Sequence, residues 1–282
     1  MILKSYRKIF SDSLSDIFPK TEVDSFFFLL IEEYLDLQRV DLSLQPNLEI
    51  NTDQLSQLNS ALNRLQKEEP IQYILGKTEF YGLPFLVNTD VLIPRPETEE
   101  LVEWILKEEK GKKERLKILD IGTGSGCIPV SLAKHLSNAK VSAIDISLDA
   151  IATAYENAQL NKVDVHFMHL DILDTKKLPE KYNIIVSNPP YVRELEKLGI
   201  KNNVLENEPH LALFVKDNNP LLFYDKIADL AKKYLSKNGT LYFEINQYLG
   251  KETVELLKTK GFSKIELRKD LFGNNRMIKA IY

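Results

Sequence analysis

From about residue 115 to the end, short apolar runs alternate with longer amphipathic stretches, and this alternation limits the fold more than any other feature of the sequence. Runs at 116–120, 140–145, 163–168, 182–187, 239–245, 263–268 and 276–282 read as strands. Stretches at about 126–137, 148–160, 220–236 and 249–260 read as helices. Strands separated by helices pair in parallel, with helices covering both faces of the sheet. The last two runs are joined by about 269–275, too short for a crossover helix, so they are expected to pair antiparallel. Open sheets of this kind hold ligands at the carboxyl ends of their strands. Chemistry-bearing residues are therefore to be sought where strands stop.

The first part of the chain has a different period. Ile2, Tyr6, Ile9 and Phe10 recur at helical spacing, as do Phe27, Leu30, Tyr34 and Leu37, and then Leu55, Leu58, Leu62 and Leu65. Asp53 is the expected N-cap of the third stripe, and Pro46 separates it from the second. A bundle of four or five helices over 1–70 is expected, an appended domain suited to recognising a partner. At 71–93, aromatic and β-branched residues around Gly82 and Pro84 predict a hairpin that links this bundle to a main domain at 94–282. Arg95 and Glu97, in the proline-rich run before the helix of Leu101 and Trp104, read as a solvated helix start.

With 282 residues, 44% of them apolar and 28% charged, the chain is long enough for two domains with a sizeable core. A net charge of -4 argues against a large basic surface for duplex nucleic acid. The single cysteine, Cys127, excludes a disulfide framework and a cysteine-based metal site. His166 and His169 fall an odd number of residues apart on a strand, hence on opposite faces, and no metal is expected. No apolar run approaches membrane-spanning length, and the start of the chain lacks the apolar core of a signal peptide, so a cytoplasmic location is expected.

Two strand ends carry the chemistry. Leu116 to Asp120 runs into Ile121-Gly122-Thr123-Gly124-Ser125-Gly126, and a helix follows. Glycines let the backbone turn sharply and approach a ligand, and the helix start presents free N–H groups. The dinucleotide pattern G-x-G-x-x-G would need glycine where Cys127 stands. Asp145 closes the next strand, near the spacing at which an acid binds ribose hydroxyls, although it could also cap the helix after it. Asp171, at the end of the third strand, could touch an adenine amino group or cap a turn. Together these favour a nucleoside site. The second end is Ser187-Asn188-Pro189-Pro190-Tyr191, where two prolines stop a buried strand. Asn188 can accept through its side-chain oxygen, Pro189 offers a carbonyl with no competing N–H, and Tyr191 offers a flat face. Those parts suit a planar, weakly nucleophilic NH2 group.

These two motifs together resemble the class I S-adenosylmethionine methyltransferases that act on planar amino groups. Further segments narrow the resemblance to the release factor glutamine N5-methyltransferases: Pro70-Ile-Gln-Tyr-Ile-Leu-Gly76, Glu79-Phe-Tyr-Gly82, Ile93-Pro-Arg-Pro-Glu-Thr-Glu99, Glu208-Pro209 through Ala212-Leu-Phe214, and Asp270-Leu-x-Gly273-x-x-Arg276. The resemblance runs from about residue 70 onward and extends in kind to the helical first domain. It implies an α/β fold: a Rossmann-like class I methyltransferase domain with a seven-stranded, mostly parallel sheet and one antiparallel strand, plus the helical bundle joined by a β-hairpin. It implies S-adenosylmethionine as cofactor, bound by Asp120, Gly122, Thr123, Gly124, Ser125, Gly126, Asp145, Asp171, Ile172 and Asn188. It implies an acceptor site at Asn188, Pro189, Pro190 and Tyr191, with Asn188, Pro189 and Tyr191 catalytic. The implied substrate is the glutamine of the Gly-Gly-Gln segment of class 1 peptide chain release factors, with no stable nucleic-acid partner, no membrane and a monomeric state. The chain departs from the family at Val215 to Asn219, at Tyr182-Asn183 and at Asn246 in Glu244-Ile245-Asn246; the last two departures are expected to lie away from the chemistry.

Two rival readings use the same residues. An adenine-N6 methyltransferase would hold a flipped base with the Asn188 loop; the acidic balance and the lack of a dense Lys/Arg stripe count against it. A non-catalytic S-adenosylmethionine-binding protein would not need the acceptor loop, which is complete here.

Overall fold

The computed structural model describes all residues, 1–282, and divides them into two compact units: 1–76 with 201–207, and 77–200 with 208–282. In the first unit, helices α1 (Leu3–Leu14), α2 (Lys20–Leu35), α3 (Asp41–Leu44), α4 (Thr52–Leu65) and α5 (Ile71–Leu75) enclose one core. Leu3, Tyr6, Phe10 and Leu14 supply α1's share, packed on Phe27, Leu30 and Ile31 of α2 and on Leu58, Leu62 and Leu65 of α4. Each such side chain contributes roughly 1.5–3 kcal/mol on burial. Two expectations are corrected. Ile9 is exposed, because the buried stripe passes through Leu3 and Leu14 instead. The cap of α4 is Asn51, not Asp53: its side chain accepts from the Gln54 N–H at 2.9 Å while Gln54 accepts from the Asn51 N–H at 3.0 Å, a reciprocal box.

The second unit opens with a hairpin, β1 (Lys77–Phe80) and β2 (Leu83–Leu86), closed by Tyr81 and Gly82, both at positive φ as a two-residue hairpin turn requires. Helix α6 (Pro96–Glu109) starts with proline in its first turn, where a missing N–H costs nothing. Then come β3 (Leu116–Ile121), α7 (Cys127–His135), β4 (Ala139–Asp145), α8 (Leu148–Leu160), β5 (Val165–His169) and β6 (Tyr182–Ser187). After the short β7 (Val192–Arg193), a 3-10 turn, α9 (Asn202–Asn207), α10 (His210–Leu213) and β8 (Phe214–Val215), the chain continues as α11 (Leu222–Tyr234), β9 (Leu235–Glu244), α12 (Gly250–Thr259), β10 (Ser263–Lys269) and β11 (Asn275–Ile281).

The seven long strands form one sheet in the order β10-β11-β9-β6-β3-β4-β5, all parallel except β11, which pairs antiparallel with both of its neighbours. This is the sheet the sequence leads one to expect. Consecutive residues feed opposite cores: Ile118, Ile184 and Tyr242 pack with α6 and α7, whereas Leu119, Ile185 and Phe243 pack with α11. That two-sided burial explains why the strands read as unbroken apolar runs. The strand order reverses between β3 and β6, so the chain that leaves β3 and the chain that leaves β6 emerge side by side. No helix is long and apolar enough to cross a membrane.

Candidate active site

The turn after β3 is held from both sides. Gly122 and Thr123 donate their N–H groups to the Ile144 carbonyl at 2.9 and 3.1 Å, and Gly124 donates to Asp145 Oδ2 at 2.8 Å. Gly126 caps α7 at φ +79°, and a Cβ there would stand 3.0 Å from the Ala154 Cβ, so this position needs glycine for both conformation and space. Buried Asn157 ties the turn to the hairpin: its Nδ2 donates to the carbonyls of Ser125 and Leu86, both at 2.9 Å.

Beside the turn lies a cavity of about 420 Å³, within the range of pockets that hold small ligands. Of the residues singled out in the sequence, Gly122, Thr123, Gly124, Ser125, Asp145, Asp171, Ile172, Asn188, Pro189 and Pro190 line it. Asp120, Gly126 and Tyr191 do not. Asp120 lies behind the turn, fully buried, and neither carboxylate oxygen has a hydrogen-bond partner; the Thr123 hydroxyl is likewise unpartnered. Burial pushes the Asp120 carboxyl up to about 7, and the nearby Asp145 charge adds to the rise. Tyr191 instead borders a second cavity of about 350 Å³. Its hydroxyl donates to Glu244 Oε1 at 3.0 Å. His166 and His169 are exposed, and no group of three or more His, Cys, Asp or Glu is placed to hold a metal ion.

The two acids at strand ends find different local partners. Asp145 does not cap α8, because Ser147 does so by accepting from the Ala150 N–H at 3.2 Å. Asp145 spans the turn and the helix entry instead, with Oδ1 accepting from the Ser147 N–H at 2.9 Å. Asp171 Oδ1 accepts from the Leu173 N–H at 2.8 Å, so it closes a turn while bordering the cavity.

Several residues of the site escaped sequence reasoning. Thr98, in the first turn of α6, is 2% exposed and lines the cavity; it donates to Glu244 Oε2 at 2.7 Å and receives Asn188 Nδ2 at 3.3 Å. Glu244 ends β9, next to the strand that delivers Asn188, and is 1% exposed. Burial raises its carboxyl above the usual range, opposed by the Thr98 and Tyr191 hydroxyls and by the Arg276 guanidinium. Arg95 is not a solvated helix start: it pairs with buried Glu208 and borders the cavity. The departure at Asn246 is not remote from the site either, since its Nδ2 donates to the Tyr191 carbonyl and to Glu196 Oε2, both at 2.9 Å. The one available signal was the Glu-Thr-Glu run after Pro96, which placed a hydroxyl at a helix start without showing what it faced.

This donor set fits S-adenosylmethionine. A cationic ligand beside the turn would offset the buried, unpartnered Asp120 charge, and Asp145 at the strand end suits a ribose diol. Asp171 and Ile172 offer an acceptor and an apolar wall for a base. The Asp120 environment makes a testable statement about pH. The carboxyl titrates at 3.8 unfolded and at about 7 folded, so its contribution to stability is complete below 3.8 and is lost as pH rises through 7. In Asp120→Asn, thermal melts at pH 5 and pH 8 should converge. The variant should gain about 1–3 kcal/mol at pH 8 while binding S-adenosylmethionine less tightly by calorimetry.

The family described as Methyltransferase small domain matches residues 98–212, and the PrmC N-terminal domain matches residues 10–76. A release factor glutamine methyltransferase of Flavobacterium psychrophilum is 58% identical over 99% of this chain and 99% of its own. One from Bacteroides thetaiotaomicron is 43% identical over 95% and 96%. Among solved structures, the T. thermophilus 16S rRNA N2 G1207 methyltransferase, in complex with AdoMet and guanosine, matches with a TM-score of 0.52 at 18% identity, covering 73% of this chain and 49% of that one; it shares the fold. With near-complete coverage at more than half identity, and with two family domains matched in separate stretches of the sequence, the chain belongs to the release factor glutamine methyltransferase family.

Proposed function

We propose that this chain carries out its family's reaction, moving the methyl group of S-adenosylmethionine to the side-chain amide nitrogen of the Gly-Gly-Gln glutamine in class 1 peptide chain release factors. The observation that carries the reading is adjacency. Ile121 and Ser187 are register partners, and the Ser187 hydroxyl donates to the Ile121 carbonyl at 2.6 Å, so the glycine turn and the Asn188 loop open into one cavity.

An amide nitrogen is a poor nucleophile because its lone pair is delocalised into the carbonyl, the same resonance that flattens the peptide bond. No strong base is needed if the nitrogen is held and aimed. Asn188 Oδ1 and the Pro189 carbonyl accept its two N–H bonds, which fixes the plane of the amide and favours pyramidal geometry as the N–C bond forms. Positioning of this kind is worth up to roughly 7–11 kcal/mol. The bound cofactor supplies an electrophilic methyl on a cationic sulfur, whose charge is discharged in the transfer. Asp145 and Asp171 hold the ligand at the cavity wall, with the Asp120 carboxyl behind the turn, while the prolines and Ile172 keep water from the reacting centre. The amide proton passes to solvent after the nitrogen has gained the methyl. The chain acts as a monomer in the cytoplasm, with the helical first unit contacting the release factor away from the reacting loop.

The test uses isotopically labelled S-adenosylmethionine, a purified release factor and total RNA in one reaction. Mass spectrometry should find one added methyl on the glutamine side chain. Label in nucleic acid, with the release factor unmodified, would instead favour the adenine-directed reading.

A further inference from the structure

Asn188 serves an amide acceptor only in one of its two flips. With Oδ1 toward the cavity it accepts an N–H; with Nδ2 there it opposes one donor with another. The side chain alone has no preference, so something behind it has to choose.

Three side chains stand behind it in a line. Asn188 Nδ2 lies 3.3 Å from Thr98 Oγ1, and Thr98 Oγ1 lies 2.7 Å from Glu244 Oε2. The other carboxylate oxygen, Oε1, receives the Tyr191 hydroxyl at 3.0 Å. Both carboxylate oxygens of Glu244 accept from a hydroxyl, Oε2 from Thr98 and Oε1 from Tyr191, while burial raises the carboxyl and the Arg276 guanidinium opposes that rise. The single Thr98 proton is therefore committed to Glu244. Toward Asn188 the Thr98 oxygen has only lone pairs to offer, and lone pairs select the NH2 end of a carboxamide. Thr98 and Glu244 are both almost fully buried, so water does not compete for these bonds.

We infer that Glu244, acting through Thr98, is a positioning device that holds Asn188 in the one flip able to receive an amide. The inference rests on the acceptor role of Asn188 set out above. Neither Thr98 nor Glu244 is required to touch the substrate; their function is to give the Asn188 hydrogen bond a direction. Polarity distinguishes this role from simple bracing. In Glu244→Gln, keeping the Tyr191 hydroxyl as a donor to the amide oxygen turns the amide NH2 toward Thr98. Thr98 must then accept from Gln and donate to Asn188, which selects the wrong flip. An isosteric, uncharged replacement should consequently harm turnover more than deletion of the Thr98 hydroxyl does.

The test compares kcat on the release factor for Thr98→Val, Thr98→Ser, Glu244→Gln and the Thr98→Val/Glu244→Gln pair, with thermal melts and S-adenosylmethionine Kd as folding controls. Asn188→Ala is the control on the underlying reading. Thr98→Val should lower kcat about 10-fold and Glu244→Gln about 100-fold, at near-constant KM and Kd. Thr98→Ser, which keeps the hydroxyl, should stay within about threefold of the unmodified enzyme. In the pair the reversed relay is cut, so kcat should recover to the Thr98→Val level. Losses that multiply in the pair, Thr98→Ser as slow as Thr98→Val, or Glu244→Gln with ordinary turnover would each overturn the inference. Should Glu244→Gln not fold, the Val-against-Ser contrast at Thr98 decides alone. Ordinary turnover in Asn188→Ala would remove the acceptor reading itself, an outcome distinct from all of these.

Discussion

Asn188→Ala should lower kcat by about 10²–10³-fold, the loss expected when one preorganised hydrogen-bonding group is taken from a reacting centre. S-adenosylmethionine should still bind with a Kd within about threefold of the unmodified protein, because the glycine turn and Asp145 are built on other strands. The fold should survive, since the loop is also held by the Asn246 bond to the Tyr191 carbonyl and by the Ser187 hydroxyl. Single-turnover methyl transfer with saturating cofactor, beside calorimetry, separates the two quantities. Turnover close to normal would leave the Asn188 loop without its assigned role.

Asp145→Ala should do the opposite. Its carboxylate sits at the cavity edge and also receives the Gly124 N–H at 2.8 Å. Removing it takes away the acid facing the expected ribose and frees the turn it anchors. Hydrogen bonds to charged groups are worth about 1.5–3 kcal/mol each, so S-adenosylmethionine affinity should fall about 10- to 100-fold, with kcat at saturating cofactor nearly unchanged. Asp145→Asn, which keeps an acceptor for Gly124, should fall between the two. An unaltered Kd in Asp145→Ala would move the ribose site elsewhere.

What could be read in the sequence was local or periodic. Strands such as Leu116–Ile121 and Tyr182–Ser187 announce themselves because both faces are buried, and α8 because its apolar positions recur at helical spacing. Gly122 to Gly126 and Asn188 to Pro190 were legible because their backbone chemistry is written in consecutive residues. Glu244 was not: in a sequence it is one acid at the end of an apolar run, and its partner Thr98 lies 146 residues earlier. Asn246 is illegible for the same reason, as its bond to the Tyr191 carbonyl spans 55 residues. The cap of α4 failed differently. Asp53 and Asn51 are both good capping residues, and only the reciprocal bond with Gln54 decides between them. Tyr191 has a ring fit for stacking, yet its hydroxyl is committed to Glu244, a choice that depends on the strand beside it.

The assignment of residues 201–207 to the same unit as residues 1–76 means that the backbone passes from one unit to the other three times: at 76–77, at 200–201 and at 207–208. No single cut can therefore release either unit intact. A chain shortened at Gly76 would still carry α9, stripped of the helices it packs with, on an excursion that begins and ends in the catalytic unit, with Glu208 at its exit and Pro209 on the cavity wall. The helical unit is thus made of two stretches of the chain, 1–76 and 201–207, rather than of the first alone. Losing residues 1–76 would leave 201–207, the stretch directly before Glu208 and Pro209, without the rest of its unit.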